Sequence, residues 1–175
     1  REVSPSGDLL AYSTDHEGNE NYTLRVRRLS SGEEEPDLIP NTRYSLAWAN
    51  DEQTFFYTVA DAMDRPHQVR RHTLGADVSE DEVVFEETDE RFHVSVDRSE
   101  DGRRLLIHTG GKTTTEVWSI DADCPQDAPV CVWARQEGVE AYVSSGGDVL
   151  YARTNDPHSN FRLLVSGDAG VSWSA

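Results

Sequence analysis

The chain has 175 residues, 33 of them acidic and 16 basic, for a formal net charge of −17. That balance argues against nucleic acid or an anionic membrane as the main partner and suits cationic ligands, basic peptides among them. Four Trp, six Tyr and five Phe supply enough large apolar surface for a packed core despite the polar average, and no run of 18 apolar residues offers a membrane-spanning helix.

Taken in chain order, residues 9–13 are a short apolar run suited to a strand buried on both faces. A polar loop at 14–21 follows, then an alternating strand at 22–27. In it Tyr22, Leu24 and Val26 face one way, and Thr23, Arg25 and Arg27 the other. Ser30-Ser31-Gly32 closes that strand as a turn, and an outer strand is expected around 38–39. An inner strand at 45–49 then opens a second unit, with a buried run at 55–58, a loop at 59–67, an alternating strand at 68–72, a turn at 75–77 and an outer strand at 83–85. A third unit repeats the order at 93–97, 105–108, 109–115, 116–120, 121–123 and 130–133. A fourth contributes 149–152, 153–160, 161–165 and the turn at 167–170.

The equivalent positions Tyr12, Tyr57, Ile107 and Tyr151 are spaced by 45, 50 and 44 residues. A repeat of that length, reading turn, apolar strand, loop, alternating strand, is the signature of four-stranded propeller blades that bury one another's faces. No segment carries a 3.6-residue apolar stripe. The class is therefore all-β: about four blades of a β-propeller, at roughly 1–40, 41–87, 88–135 and 136–175. Terminal blades with open edges invite edge-to-edge pairing of two copies.

Catalytic constellations are scarce. Six histidines and many carboxylates are present, but no GxSxG elbow exists to expose a nucleophilic serine. Ser144-Ser145-Gly146-Gly147 reads as the turn before a buried strand, and Gly110-Gly111-Lys112-Thr113 as a hairpin loop rather than a phosphate cradle. Cys124 and Cys131 lack any metal-ligand spacing and read as reduced thiols, so neither a metal nor a cofactor is expected.

One motif is sharper. Residues 166–173 fit the Asp-box pattern S-x-D-x-G-x-x-W, with Ser166, Asp168, Gly170 and Trp173 at the defining positions. Its carboxylate is expected to take backbone N–H groups inside the turn while Gly170 adopts a left-handed conformation and Trp173 packs back on the hairpin. Binding function is expected instead in the loops between second and third strands, which should share one face of the propeller. They carry Asp15, Glu17, Glu20, Asp61, Asp64, Arg65, Asp156 and His158.

An ordered set of motifs resembles the first propeller blades of the prolyl oligopeptidase family, in particular its oligopeptidase B-like members. It begins with Ser4-Pro5-Ser6-Gly7 and Asp15-x-x-Gly18-x-Glu20-x-Tyr22-Thr23-Leu24-Arg25-Val26, then Phe55-Phe56-Tyr57-Thr58 and Arg65-Pro66-His67-Gln68-Val69. Arg71-His72-x-Leu74-Gly75, Asp89-Glu90-Arg91-Phe92, Thr115-Glu116-Val117-Trp118 and Asn160-Phe161-Arg162-Leu163 extend it almost to the end. The resemblance implies a seven-bladed propeller that covers the Ser-Asp-His site of an α/β-hydrolase domain on the same polypeptide. It further implies hydrolysis of short peptides after Arg or Lys, a bacterial cytoplasmic setting, and interdomain or gating roles for the loop residues above. None of the family's triad positions matches a residue of this chain. Two other readings are a stand-alone binding propeller and an Asp-box glycosidase of the sialidase kind. The latter should show several boxes and a cluster of three arginines.

Overall fold

The computed structural model describes residues 1–157 and 159–175. Strands β1 (Glu2–Val3), β2 (Leu9–Thr14), β3 (Tyr22–Arg28), β4 (Glu34–Trp48), β5 (Thr54–Ala60), β6 (Pro66–Thr73) and β7 (Glu82–Glu86) form one antiparallel sheet in sequence order. A second sheet holds β8 (His93–Arg98), β9 (Arg104–Gly110), β10 (Thr115–Asp121) and β11 (Val130–Trp133). The third holds β12 (Ala141–Gly146), β13 (Val149–Thr154) and β14 (Arg162–Ser166). A single 3₁₀ turn, Val78–Glu80, is the one helical element among the described residues.

The apolar runs behave as two-faced strands. In β5, Phe55 and Tyr57 pack with Leu9, Leu24, Val26 and Ile39 of the first blade, while Phe56 between them packs with Val94, Leu105 and Ile107 of the third. In β9 the same alternation sends Leu105 and Ile107 toward the second blade and Leu106 toward Val143, Leu150 and Ala152 of the fourth. Successive side chains of a strand point to opposite faces, so a continuous apolar run serves both neighbours. Each fully buried aromatic or branched side chain contributes about 1.5–3 kcal/mol. The core is thus three slabs between blades, which is the packing of a propeller.

Strand β4 departs from expectation. Separate strands near 38–39 and 45–49 were expected, an outer strand of the first blade and an inner strand of the second. The chain instead runs unbroken from Glu34 to Trp48, pairing first with β3 (Leu24 with Ile39, Tyr22 with Thr42) and then with β5 (Thr42 with Val59, Trp48 with Phe55). Register irregularities in the β3–β4 ladder fall where the two prolines lie, and Asn41 turns the path with φ 60°. Blades one and two therefore share a strand.

Residues 144–146, read from sequence as a turn, belong to β12, and the turn sits at Gly147-Asp148. The fourth blade closes with a lone bridge between Val165 and Ser174 in place of an outer strand.

Candidate functional site

The loops at 15–21, 61–65, 111–114 and 155–161 each join the second strand of a blade to its third. In the first, the Asp15 carboxylate accepts the N–H groups of Glu17 (3.0 Å), Gly18 (2.8 Å) and Glu20 (2.9 Å). These bonds, that from Glu20 foremost, hold its carboxyl below the usual range. Glu17 is exposed and meets Asn19 at 3.2 Å. Glu20 is exposed with φ 63°, and Asp64 in the next loop is exposed with φ 62°. Left-handed backbone at a residue with a Cβ costs of order 1–2 kcal/mol, so something must hold each one.

Arg43 does so. It enters from β4 with its side chain only 4% exposed, donating to the Glu20 carbonyl at 2.5 Å, to Asn21 Oδ1 at 2.6 Å and to Asp64 Oδ1 at 2.6 Å. One guanidinium thereby ties the 15–21 loop, through the Glu20 carbonyl and Asn21, to Asp64 of the 61–65 loop across the seam of blades one and two.

Arg65 works elsewhere. Its Nε donates to Asp61 at 2.8 Å, and Nη1 donates to the carbonyls of Glu87, Asp89 and Phe92 at 3.3, 3.2 and 2.8 Å. It ties its loop to the crossover leading into the third blade, and its charge is spent within the fold. That crossover is itself anchored by buried Glu87, which accepts the Thr109 hydroxyl at 2.7 Å and pairs with Arg135. The Arg135 guanidinium lies 3.9 Å above the Phe92 ring. Asp156, half-buried in the fourth blade, accepts Arg162 Nε through its carbonyl at 2.6 Å. His158 lies outside the described residues.

The Asp-box is fully hydrogen-bonded. Asp168 accepts the Ser166 hydroxyl (2.7 Å) and both the N–H and hydroxyl of Ser172 (2.9 and 2.6 Å), while Gly170 N–H donates to Ser166 Oγ at 2.9 Å. Those bonds hold its carboxyl at about 2. Trp173 reaches beyond its own hairpin, where it was expected to pack. Its indole N–H donates to the Val132 carbonyl at 3.2 Å, and its ring meets Trp133 edge-on at 5.3 Å. The box therefore fastens the fourth blade to the third.

A cleft of roughly 470 Å³ is bordered by Tyr44, His93, Asp97, His108 and Tyr142. Burial pushes the His108 imidazole down, against a weaker opposing pull from Asp97. Among the described residues, no group of three or more His, Cys, Asp or Glu is arranged to hold a metal ion. Cys124 and Cys131 are free thiols. The site is a positioning surface: carboxylates fixed by their own turns, with guanidinia buried as ties.

Sequence reasoning missed Arg43, Glu87 and Arg135. The one local hint was an arginine at the mouth of an apolar run, Arg43 before Leu46-Ala47-Trp48.

The family model of the prolyl oligopeptidase N-terminal β-propeller domain matches residues 1–168. Protease 2 of Moraxella lacunata is 36% identical over 157 residues, covering 89% of this chain and 23% of that protein. Dipeptidyl aminopeptidase BI of Pseudoxanthomonas mexicana is 33% identical over 167 residues, covering 94% and 23%. The solved structure of oligopeptidase B from Leishmania major superposes with a TM-score of 0.90 at 29% identity, over 99% of this chain and 25% of that one. The chain thus spans about a quarter of the length of the relatives it matches.

Proposed function

The chain belongs to the prolyl oligopeptidase N-terminal β-propeller family, and from that premise we propose that it is the gating part of a serine oligopeptidase acting on short peptides, with preference for Arg or Lys at the cleaved bond. In this reading an α/β-hydrolase domain of the same polypeptide carries the chemistry, and the enzyme works in the cytoplasm. The propeller restricts access, which limits the reaction to unstructured peptides without altering the bond-making step. The observation that carries the reading is the tie at Arg43, which joins the loop bearing Asp15, Glu17 and Glu20 to the loop bearing Asp64. On a chain of net charge −17, such carboxylate-bearing loops raise the local concentration of cationic peptides.

The test compares the full reading-frame product with the 175-residue chain on a fluorogenic Arg-Arg amide. Cleavage by the full product and none by the chain supports the gating role. Neutralising Glu17, Glu20 and Asp64 in the full product should then flatten the salt dependence of kcat/KM. An unchanged salt dependence removes the steering part of the proposal, and no cleavage by the full product removes the peptidase part.

A further inference from the structure

His72 lies in β6 with none of its side chain exposed, and both ring nitrogens meet carboxylates. Nε2 is 2.8 Å from Asp37 Oδ1, and Nδ1 is 2.7 Å from Asp81 Oδ1. Asp37 belongs to the stretch of β4 that completes the first blade, whereas Asp81 follows the 3₁₀ turn of the second. Asp37 also accepts the Gly75 N–H at 2.6 Å, and Asp81 accepts the Tyr57 hydroxyl at 2.7 Å. The Phe55 ring packs against the imidazole at 5.0 Å.

An ionised carboxylate only accepts hydrogen bonds, so a ring with a carboxylate at each nitrogen makes both bonds only when both nitrogens carry protons. Two buried carboxylates also need a counter-charge, and among the described residues neither Asp37 nor Asp81 pairs with Lys or Arg. We propose that His72 is an imidazolium clamp joining blades one and two, and that its deprotonation loosens this seam as a conformational switch.

Burial alone would push the imidazole down. The bonds and charges of Asp81 and Asp37 overcome that and raise it. The other titratable groups facing the clamp are Tyr57 of β5, raised by burial and by Asp81, and Arg70 of β6, which acts on Tyr57 in the opposite sense. For a group raised in the folded state, the stabilisation is complete below the ordinary imidazole pKa and is lost as pH climbs through the raised value. The switch therefore opens upward in pH. It stands on the seam's own contacts and does not rest on the gating reading.

The experiment is amide hydrogen exchange, read by mass spectrometry, on the full reading-frame product. Peptides spanning 34–42 and 74–82 are followed from mildly acidic to alkaline pH, with rates corrected for the intrinsic pH dependence of exchange. The wild type should keep its protection through the ordinary imidazole range and lose at least about tenfold as pH climbs above it, a shift of ~1.4 kcal/mol. His72→Gln should show the loosened level at every pH. Asp37→Asn removes one charge while keeping the shape, and should move the wild-type loss to lower pH. A flat wild-type profile, the same pH dependence in His72→Gln, or an unmoved profile in Asp37→Asn each overturns the clamp. Should His72→Gln not fold, the wild-type profile and Asp37→Asn still decide.

Discussion

The Ser45 hydroxyl meets the backbone of Val96 twice, accepting its N–H at 2.6 Å and donating to its carbonyl at 2.7 Å. Val96 lies in β8, the inner edge of the third blade, so the second blade satisfies both polar groups of an unpaired strand edge through one side chain. Thr115 repeats the arrangement across the next seam, accepting the Ala141 N–H at 2.6 Å and donating to the Ala141 carbonyl at 3.0 Å. A hydroxyl has one donor and spare acceptor capacity, which suits it to this double contact. Ser45→Ala should leave two buried backbone groups unpaired and cost about 2–4 kcal/mol. Urea unfolding measures it against Ser95→Ala on the neighbouring strand, expected within ~0.5 kcal/mol of wild type. Equal losses would refute the special role of Ser45.

Arg43 and Asp64 should be unequal partners. The guanidinium is buried and also holds Glu20 and Asn21, whereas the Asp64 side chain is 77% exposed. Removing Arg43 breaks three bonds and frees two left-handed residues, so Arg43→Ala should cost about 2–3 kcal/mol. Asp64→Ala removes a solvent-screened ion pair and should cost under ~1 kcal/mol. A double-mutant cycle with the reverse order would place the tie in the charge pair and not in the backbone contacts.

What could be read in the chain beforehand divides along the range of the interactions. Phe55-Phe56-Tyr57 announced a strand buried on both faces, because period-two geometry is local. The Asp-box was equally plain, since Asp168 finds its partners within four residues. Arg43 was not, because its partners stand 21 to 23 residues away in two different loops. His72 was hidden in the same way, with Asp37 35 residues upstream. Arg65 was legible as a loop residue, but its ties were not, because the carbonyls of Glu87, Asp89 and Phe92 that it meets come from the following crossover. The unbroken run of β4 was not legible either, because the register shifts that carry it past Pro36 and Pro40 depend on its partner β3.

Gly170 should tolerate no side chain. Its φ is +88°, and a Cβ there would stand 2.5 Å from the Val132 carbonyl oxygen of the neighbouring blade. Left-handed strain of about 1–2 kcal/mol adds to overpacking of about 1–3 kcal/mol, so Gly170→Ala should cost roughly 3 kcal/mol. Gly167, with open space around it, provides the control: Gly167→Ala should shift the urea midpoint little. Similar midpoints for the two variants would show that the box does not press against the third blade.

Acid sensitivity should centre on Asp101. Burial pushes its carboxyl up, but the hydroxyls of Ser99 and Ser145 and the N–H groups of Arg103 and Gly147 together outweigh it and pull it down to about 2. The bonds to Ser145 (2.8 Å) and Gly147 (2.9 Å) cross from the third blade to the fourth. A carboxyl depressed in the folded state stabilises fully above its unfolded pKa of about 3.9 and loses that contribution as pH falls toward the folded value. Wild-type stability should therefore decline between about pH 4 and about pH 2, with the fourth blade loosening from the third. Asp101→Asn removes the ionisable group and should be the less stable protein at neutral pH. Its deficit should shrink as the pH is lowered, because the wild type loses what the variant never had. Urea midpoints for both proteins across the acid range give the comparison. A deficit that stays constant with pH would mean that Asp101 acts through shape alone and that its charge does not join these blades.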